Sequence, residues 1–174
     1  MLFIKKFCIL AQSFFLDTNR NKVISPFLSQ VGVFTIRRLV TDIARVTYFE
    51  ISGHDQPGET ARFAKHLAEQ EINLAAVLSF GIGRGNAEIV AIPHDPVAFR
   101  KSVKYTGWMV REGACFHLTG EDRSGALTET LEKIAGEGIN LEAVYAMGIE
   151  KRYSAYVWCN ERDIEKIRKL LKGW

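Results

Sequence analysis

One stretch of the chain occurs twice, and any fold must accommodate both copies. Residues 48–82, YFEISGHDQPGETARFAKHLAEQEINLAAVLSFGI, align after a shift of 67 with residues 115–149, CFHLTGEDRSGALTETLEKIAGEGINLEAVYAMGI. Phe49/Phe116, Gly53/Gly120, Asp55/Asp122, Gly58/Gly125, Ala68/Ala135, Ile72/Ile139, Asn73/Asn140, Leu74/Leu141, Ala76/Ala143, Val77/Val144, Gly81/Gly148 and Ile82/Ile149 are identical, and Val90/Val157 continue the register. Average residue usage would give roughly two matches by chance over such a length. The chain is therefore an internal duplication, and each copy is read as one structural unit.

Both copies follow the same order. Residues 47–52 alternate, with Phe49 and Ile51 on one side and Tyr48 and Glu50 on the other, the pattern of a half-buried strand. A loop, His54-Asp55-Gln56-Pro57-Gly58, comes next. Its aspartate is a candidate helix cap, its proline suits a first helical turn, and its glycine permits a tight turn. A helix over about residues 58–70 places Thr60, Phe63, Ala64, Leu67 and Ala68 on one stripe, matched by Leu127, Leu131, Ile134 and Ala135. Strands are expected from Ile72-Asn73-Leu74 to the glycines at 81–85 and over 87–92, then a helix over 96–104 and a strand over 108–111. The order β-α-β-β-α-β predicts an α+β protein of two ferredoxin-like plaits in tandem, each an antiparallel sheet with helices on one face. The second copy ends at Gly173-Trp174 without a fourth strand of its own. Its open edge calls for cover, either from a neighbouring sheet or from Val31–Ile36.

The loop and the asparagine after the helix resemble the ACT-domain family of small-molecule regulatory modules. That family carries D-x-P-G after its first strand and G-[IV]-N at the start of its second. Here the first copy reads Asp55-Gln56-Pro57-Gly58 and Glu71-Ile72-Asn73; the second reads Asp122-Arg123-Ser124-Gly125 and Gly138-Ile139-Asn140. Glu71 stands for the usual glycine and Ser124 for the usual proline. The resemblance spans about residues 45–174 and divides the chain into an N-terminal extension (1–44) and ACT-like units at 45–111 and 112–174. It implies amino-acid binding at the loops and where modules meet, through His54, Asp55, Gln56, Pro57, Gly58, Asn73, Asp122, Arg123, Gly125 and Asn140. It further implies a regulatory role without catalysis or cofactor, a homodimer, and a regulated enzyme as partner.

Elementary chemistry supports part of that list. A helix N-terminus leaves N–H groups unpaired and attracts a carboxylate. Aspartate accepts from an ammonium group, and asparagine both donates and accepts. Each residue also has a plain structural role open to it: Asp as a cap, Asn as a turn former, Gly as a hinge of the backbone.

Charge narrows the alternatives. The net charge is +3, yet seven basic residues against two acidic ones lie within residues 1–45, so the duplicated part is mildly acidic. That argues against nucleic acid, although Tyr156 and Trp158 stand where an RNA-binding plait carries stacking aromatics. Cys8, Cys115 and Cys159 are widely spaced, with no zinc pattern, and fit reduced thiols in a cytoplasmic protein. Gly81-x-Gly83-x-Gly85 lies between strands and reads as a hairpin turn, not a dinucleotide loop. Residues 1–44 admit three readings: initiation near Thr41, a signal segment, or a folded extension. The apolar run at residues 1–16 is too short to span a membrane.

Overall fold

The computed structural model describes residues 42–171. Its elements are β1 (Asp42–His54), α1 (Glu59–Glu69), β2 (Leu74–Gly83), β3 (Asn86–Pro93), α2 (Pro96–Val103), β4 (Met109–Glu121), α3 (Thr128–Gly136), β5 (Leu141–Ile149), β6 (Arg152–Cys159), a 3₁₀ turn (Glu161–Asp163) and α4 (Ile164–Leu171). The α+β class and the antiparallel pairing agree with expectation. The sheets, however, are not two: one continuous six-stranded sheet runs β2-β3-β1-β4-β6-β5.

The join is the informative part. β1 and β4 are both 13 residues long and pair antiparallel from Asp42↔Thr119 to Ser52↔Met109. β3 lies against only the second half of β1, Phe49–His54. β6 likewise takes only Phe116–Glu121 of β4. The first half of β1 is therefore the fourth strand beside the second copy, and the first half of β4 is the fourth strand beside the first. The edge that lacked a strand is covered from within the chain, by residues 42–46. Val31–Ile36, the other donor considered, lies outside the described residues, as do Cys8 and the rest of the extension. Boundaries at 44/45 and 111/112 fall inside continuous strands.

All four helices sit on one face. Phe63 and Leu67 of α1 and Phe99 and Val103 of α2 pack with Phe49, Ile51, Ile89 and Ala91. Ile134 of α3 and Ile164, Ile167 and Leu171 of α4 pack with Phe116, Leu118, Ala155 and Val157. Phe49 pairs with Glu112, two turns of the pleat from Phe116, so both clusters share that face. The opposite face holds a third cluster, Val90, Ile92, Cys115, Tyr156 and Trp158, which contains no helical residue. Buried Tyr156 and Trp158 are not available for base stacking. Cys115 and Cys159 are free and buried, and burial pushes their thiols up to about 12 and about 11 respectively, so neither is a thiolate at neutral pH.

The expected apolar stripe on α1 is only partly used. Phe63 and Leu67 are buried, whereas Thr60, Ala64 and Ala68 are exposed. Thr60 shows why: its hydroxyl meets Ser79 on β2 at 2.9 Å, so this row of α1 faces β2, the last strand of the sheet. Among the described residues no strand lies beyond to cover it. In α3, Leu127 and Leu131 are half-buried and Ala135 is exposed for the same reason at the β5 edge.

Candidate functional site

The β1–α1 loop begins where β1 leaves the sheet. His54 still pairs with Asn86, and the Asp55 N–H donates to the Gly85 carbonyl at 2.9 Å, pinning the loop to the β2–β3 hairpin. The Asp55 carboxylate then lies across the backbone of Gly81: a Cβ there would come 2.7 Å from Oδ2. The second copy repeats this. Asp122 donates its N–H to the Lys151 carbonyl at 2.9 Å, and its carboxylate lies 2.7 Å from where a Gly148 Cβ would be. The identical Gly81/Gly148 pair is thereby explained, since only glycine lets a carboxylate cross the strand so closely.

Neither aspartate caps its helix. Gly58, at φ 91°, is the N-cap of α1, and Leu127 is that of α3; no side chain caps either helix. Gly58 needs its left-handed backbone, which L side chains rarely adopt. The capping role considered for Asp55 is thus replaced: the carboxylate reaches back to the sheet, and the first-turn amides keep no side-chain partner. His54, Asp55, Gln56, Pro57, Gly58, Asp122, Arg123 and Gly125 are all exposed, grouped as two loops, one at each end of the central strand pair.

Asn73 and Asn140 do not join them. The expectation that each asparagine lies beside the loop of its own copy is corrected by strand direction. α1 is 11 residues long, about 16 Å, and it delivers Asn73 to the start of β2, while the loop touches Gly81 near the end. Eight strand positions separate them, roughly 25 Å. Asn73 is exposed, and its carbonyl accepts from the His94 N–H at 3.1 Å. Asn140 is exposed at the equivalent place before β5.

A residue not singled out in the sequence enters instead. Glu59, the first residue of α1, is only 8% exposed. Its Oε1 would stand 3.1 Å from a Cβ on Gly53. Arg62 grips it with both arms of the guanidinium, Nη2 to Oε1 at 2.6 Å and Nε to Oε2 at 3.2 Å. This hydrogen bonding by Arg62 holds the Glu59 carboxyl below the usual carboxylate range, against the opposing pull of burial. Arg62 in turn stacks over Trp108, 4.9 Å from the ring centroid. Aligning the copies exposes the signal that could have revealed Glu59: Ala126 takes its place in the second.

Other polar groups cluster on the helix-free face. Glu50 pairs with Arg111, and Glu88 lies nearby, its carboxyl raised by burial and by the Glu50 charge. His117 stacks on Tyr156 at 4.4 Å and meets Ser154 at 2.8 Å; burial pushes its pKa down. His66 meets the Ser102 carbonyl at 3.0 Å and packs edge-on against Trp108, a structural role. Among the described residues no group of three metal-ligating side chains forms, and no helix is long and apolar enough to cross a membrane.

No protein-family model matches the chain, and no curated protein matches it. Solved structures do. A Bacteroides thetaiotaomicron protein, BT0572, superposes with TM-score 0.67 over 75% of this chain and 89% of its own, at 19% identity. The ligand-free regulatory subunit of aspartate kinase from Thermus thermophilus follows with TM-score 0.54, over 76% and 95%, at 16% identity. The chain has the fold of the ACT-domain regulatory proteins. Aspartokinase alpha and beta subunits superpose at TM-score 0.50 over 74% and 93%, at 15% identity. At such identities the likeness is one of fold.

Proposed function

We propose that this chain is a cytoplasmic sensor of an amino acid or similar small molecule, and not an enzyme. In this reading it is two ferredoxin-like βαββαβ units that share their central strands. The ligand is held at the β1–α1 loop or its counterpart, and the output passes through association with a second copy or with a regulated enzyme. The observation that carries the reading is the repeated loop geometry: an exposed aspartate laid over a glycine, beside a helix N-terminus with no side-chain cap. A zwitterion suits that pairing, its carboxylate toward the amides and its ammonium toward Asp55 or Asp122.

Two features favour a homodimer. Thr60, Ala64 and Ala68 form an exposed row of small residues along the sheet edge, and Val77 on β2 is 49% exposed. Asn73 and Asn140 each stand roughly 25 Å along the strand from the loop of their own copy, so in this reading they would contribute to a site only where another unit's loop meets them. Regulatory subunits of aspartate kinase among the structural neighbours make an enzyme partner a natural reading. The competing reading, a dimerisation module without a ligand, rests on the same exposed row and predicts no saturable binding. A thermal-shift screen against the standard amino acids separates the two: a ligand at 100 times its Kd stabilises by about 2.7 kcal/mol. Unchanged melting throughout the series favours the module.

A further inference from the structure

The helix-free face of the sheet is apolar and closely covered, although no helix lies on it. Its middle follows from the register: Val46 faces Cys115, Trp158 faces Ala143, Tyr156 faces His117, and Ile92 faces Ala76. Ile92 is 1% exposed, Tyr156 3% and Trp158 4%. Side chains on a sheet stand roughly perpendicular to it, so strand neighbours shield their flanks and leave their tips to water. Tips this dry need a layer above them, and among the described residues every helix packs on the other face. Trp158 adds a second mark. Its Nε1 is buried without a hydrogen-bond partner among the described residues, whereas a buried indole N–H ordinarily has one.

The face also carries charge. Glu50 and Glu88 are buried there, and one arginine, Arg111, pairs with Glu50. Glu88 has Phe80 and Ser52 as its strand partners. A cover suited to this face is apolar over its middle and basic at its Glu88 end. Residues 1–41, outside the described residues, have that composition. They hold six of the chain's eleven phenylalanines, Phe3, Phe7, Phe14, Phe15, Phe27 and Phe34, and six basic residues against the single acid Asp17. A solvated tail is poor in aromatics. Their apolar run Val31–Ile36 is also within reach. Six steps of chain join Ile36 to Asp42, about 20 Å when extended, and Val46 is four positions into β1, about 13 Å.

From the apolar face, its charge and this reach, we infer that Val31–Ile36 folds back over the helix-free face and covers Tyr48, Tyr156 and Trp158. The segment is then a layer of the fold and not the edge strand of the second unit, a place that residues 42–46 already fill. With both faces of the sheet covered, a second copy or a regulated enzyme meets the chain at its outer strands or its helices.

The test is methyl-resolved NMR of the full chain, labelled at valine and isoleucine. Nuclear Overhauser contacts should join Val31, Val33 or Ile36 to the rings of Tyr48, Tyr156 or Trp158 within one chain. The Trp158 indole N–H should exchange with solvent about a hundredfold more slowly than a free indole. Phe34→Asp should remove the contacts and quicken that exchange about tenfold, with the β1–β4 amides still protected. Rings that contact no methyl of residues 31–36 would overturn the inference, whether they meet another stretch of residues 1–41, a second copy seen only in mixed-label samples, or water. A folded Phe34→Asp protein with native exchange at Trp158 would overturn it as well. The contact measurement decides even if that variant does not fold.

Discussion

Thr47 and Ala114 are partners in two senses. The shift that superposes the copies carries one onto the other, and they face each other across β1 and β4. A local two-fold axis therefore passes between them, and the duplicated halves meet as two subunits of a dimer would. The strand each half lacks is the strand the other supplies. Removing residues 1–46 should accordingly unpair Cys115–Thr119, 70 or so residues away. Hydrogen exchange should then show those amides losing protection, with a lower melting temperature. Unchanged protection would mean that residues 42–46 are not part of the sheet.

Phe99 should be the costliest single truncation in the first half. It is fully buried, 4.4 Å from Phe49 and 6.4 Å from Phe63 between ring centroids. Phe99→Ala is expected to cost about 3–5 kcal/mol, read from the urea midpoint. A loss below about 1 kcal/mol would show that α2 does not dock through this ring.

Glu59 and Glu88 should give opposite pH slopes. Glu59 has a folded pKa lowered chiefly by Arg62, so its stabilisation is present above its unfolded pKa and is lost as pH falls through the folded value. Glu88 has a folded pKa raised by burial first and then by Glu50, with Arg111 opposing. Its ionisation therefore costs stability as pH rises from the unfolded value through the folded one. Glu88→Gln should be more stable than native at pH 7 and lose that advantage in acid; Glu59→Gln should be less stable at pH 7 and converge with native in acid. Melting curves from pH 3 to 8 check both, and parallel curves for the two variants would contradict the assignment.

Much of this architecture was legible in the residues. The alternation at 47–52, the loop glycines and the paired repeat placed β1, α1, β2, β3 and α2 within a few residues of where they lie. Asp42–Val46 is strand because it pairs with Cys115–Thr119, a contact no local pattern contains. The row Thr60, Ala64, Ala68 had the spacing of a buried face but lies past the last strand, where spacing says nothing about cover. The motif suggests Asn73 beside Asp55 because it holds residues in order without the direction of the strand that carries them. Glu59 does not stand out in the sequence, where an acid at the start of a helix is commonplace; its burial comes from Gly53 beneath it and Arg62 beside it.

Gly148→Ala should separate binding from stability. The added methyl meets the Asp122 carboxylate at 2.7 Å and nothing else close, and that side chain is exposed and free to swing aside. Stability should change by no more than about 0.5 kcal/mol. Affinity at the second loop should fall, because the aspartate no longer lies over the strand. Calorimetry finding full affinity would take the Asp122 carboxylate out of the site.

If these loops hold an amino acid, equilibrium dialysis detects it without choosing the ligand beforehand. The full chain is dialysed against a mixture of the twenty standard amino acids, and both compartments are quantified. One amino acid, or a few of related side chain, should be enriched on the protein side, and the enrichment should saturate. Equal concentrations of all twenty across the membrane, up to the millimolar range, would contradict it.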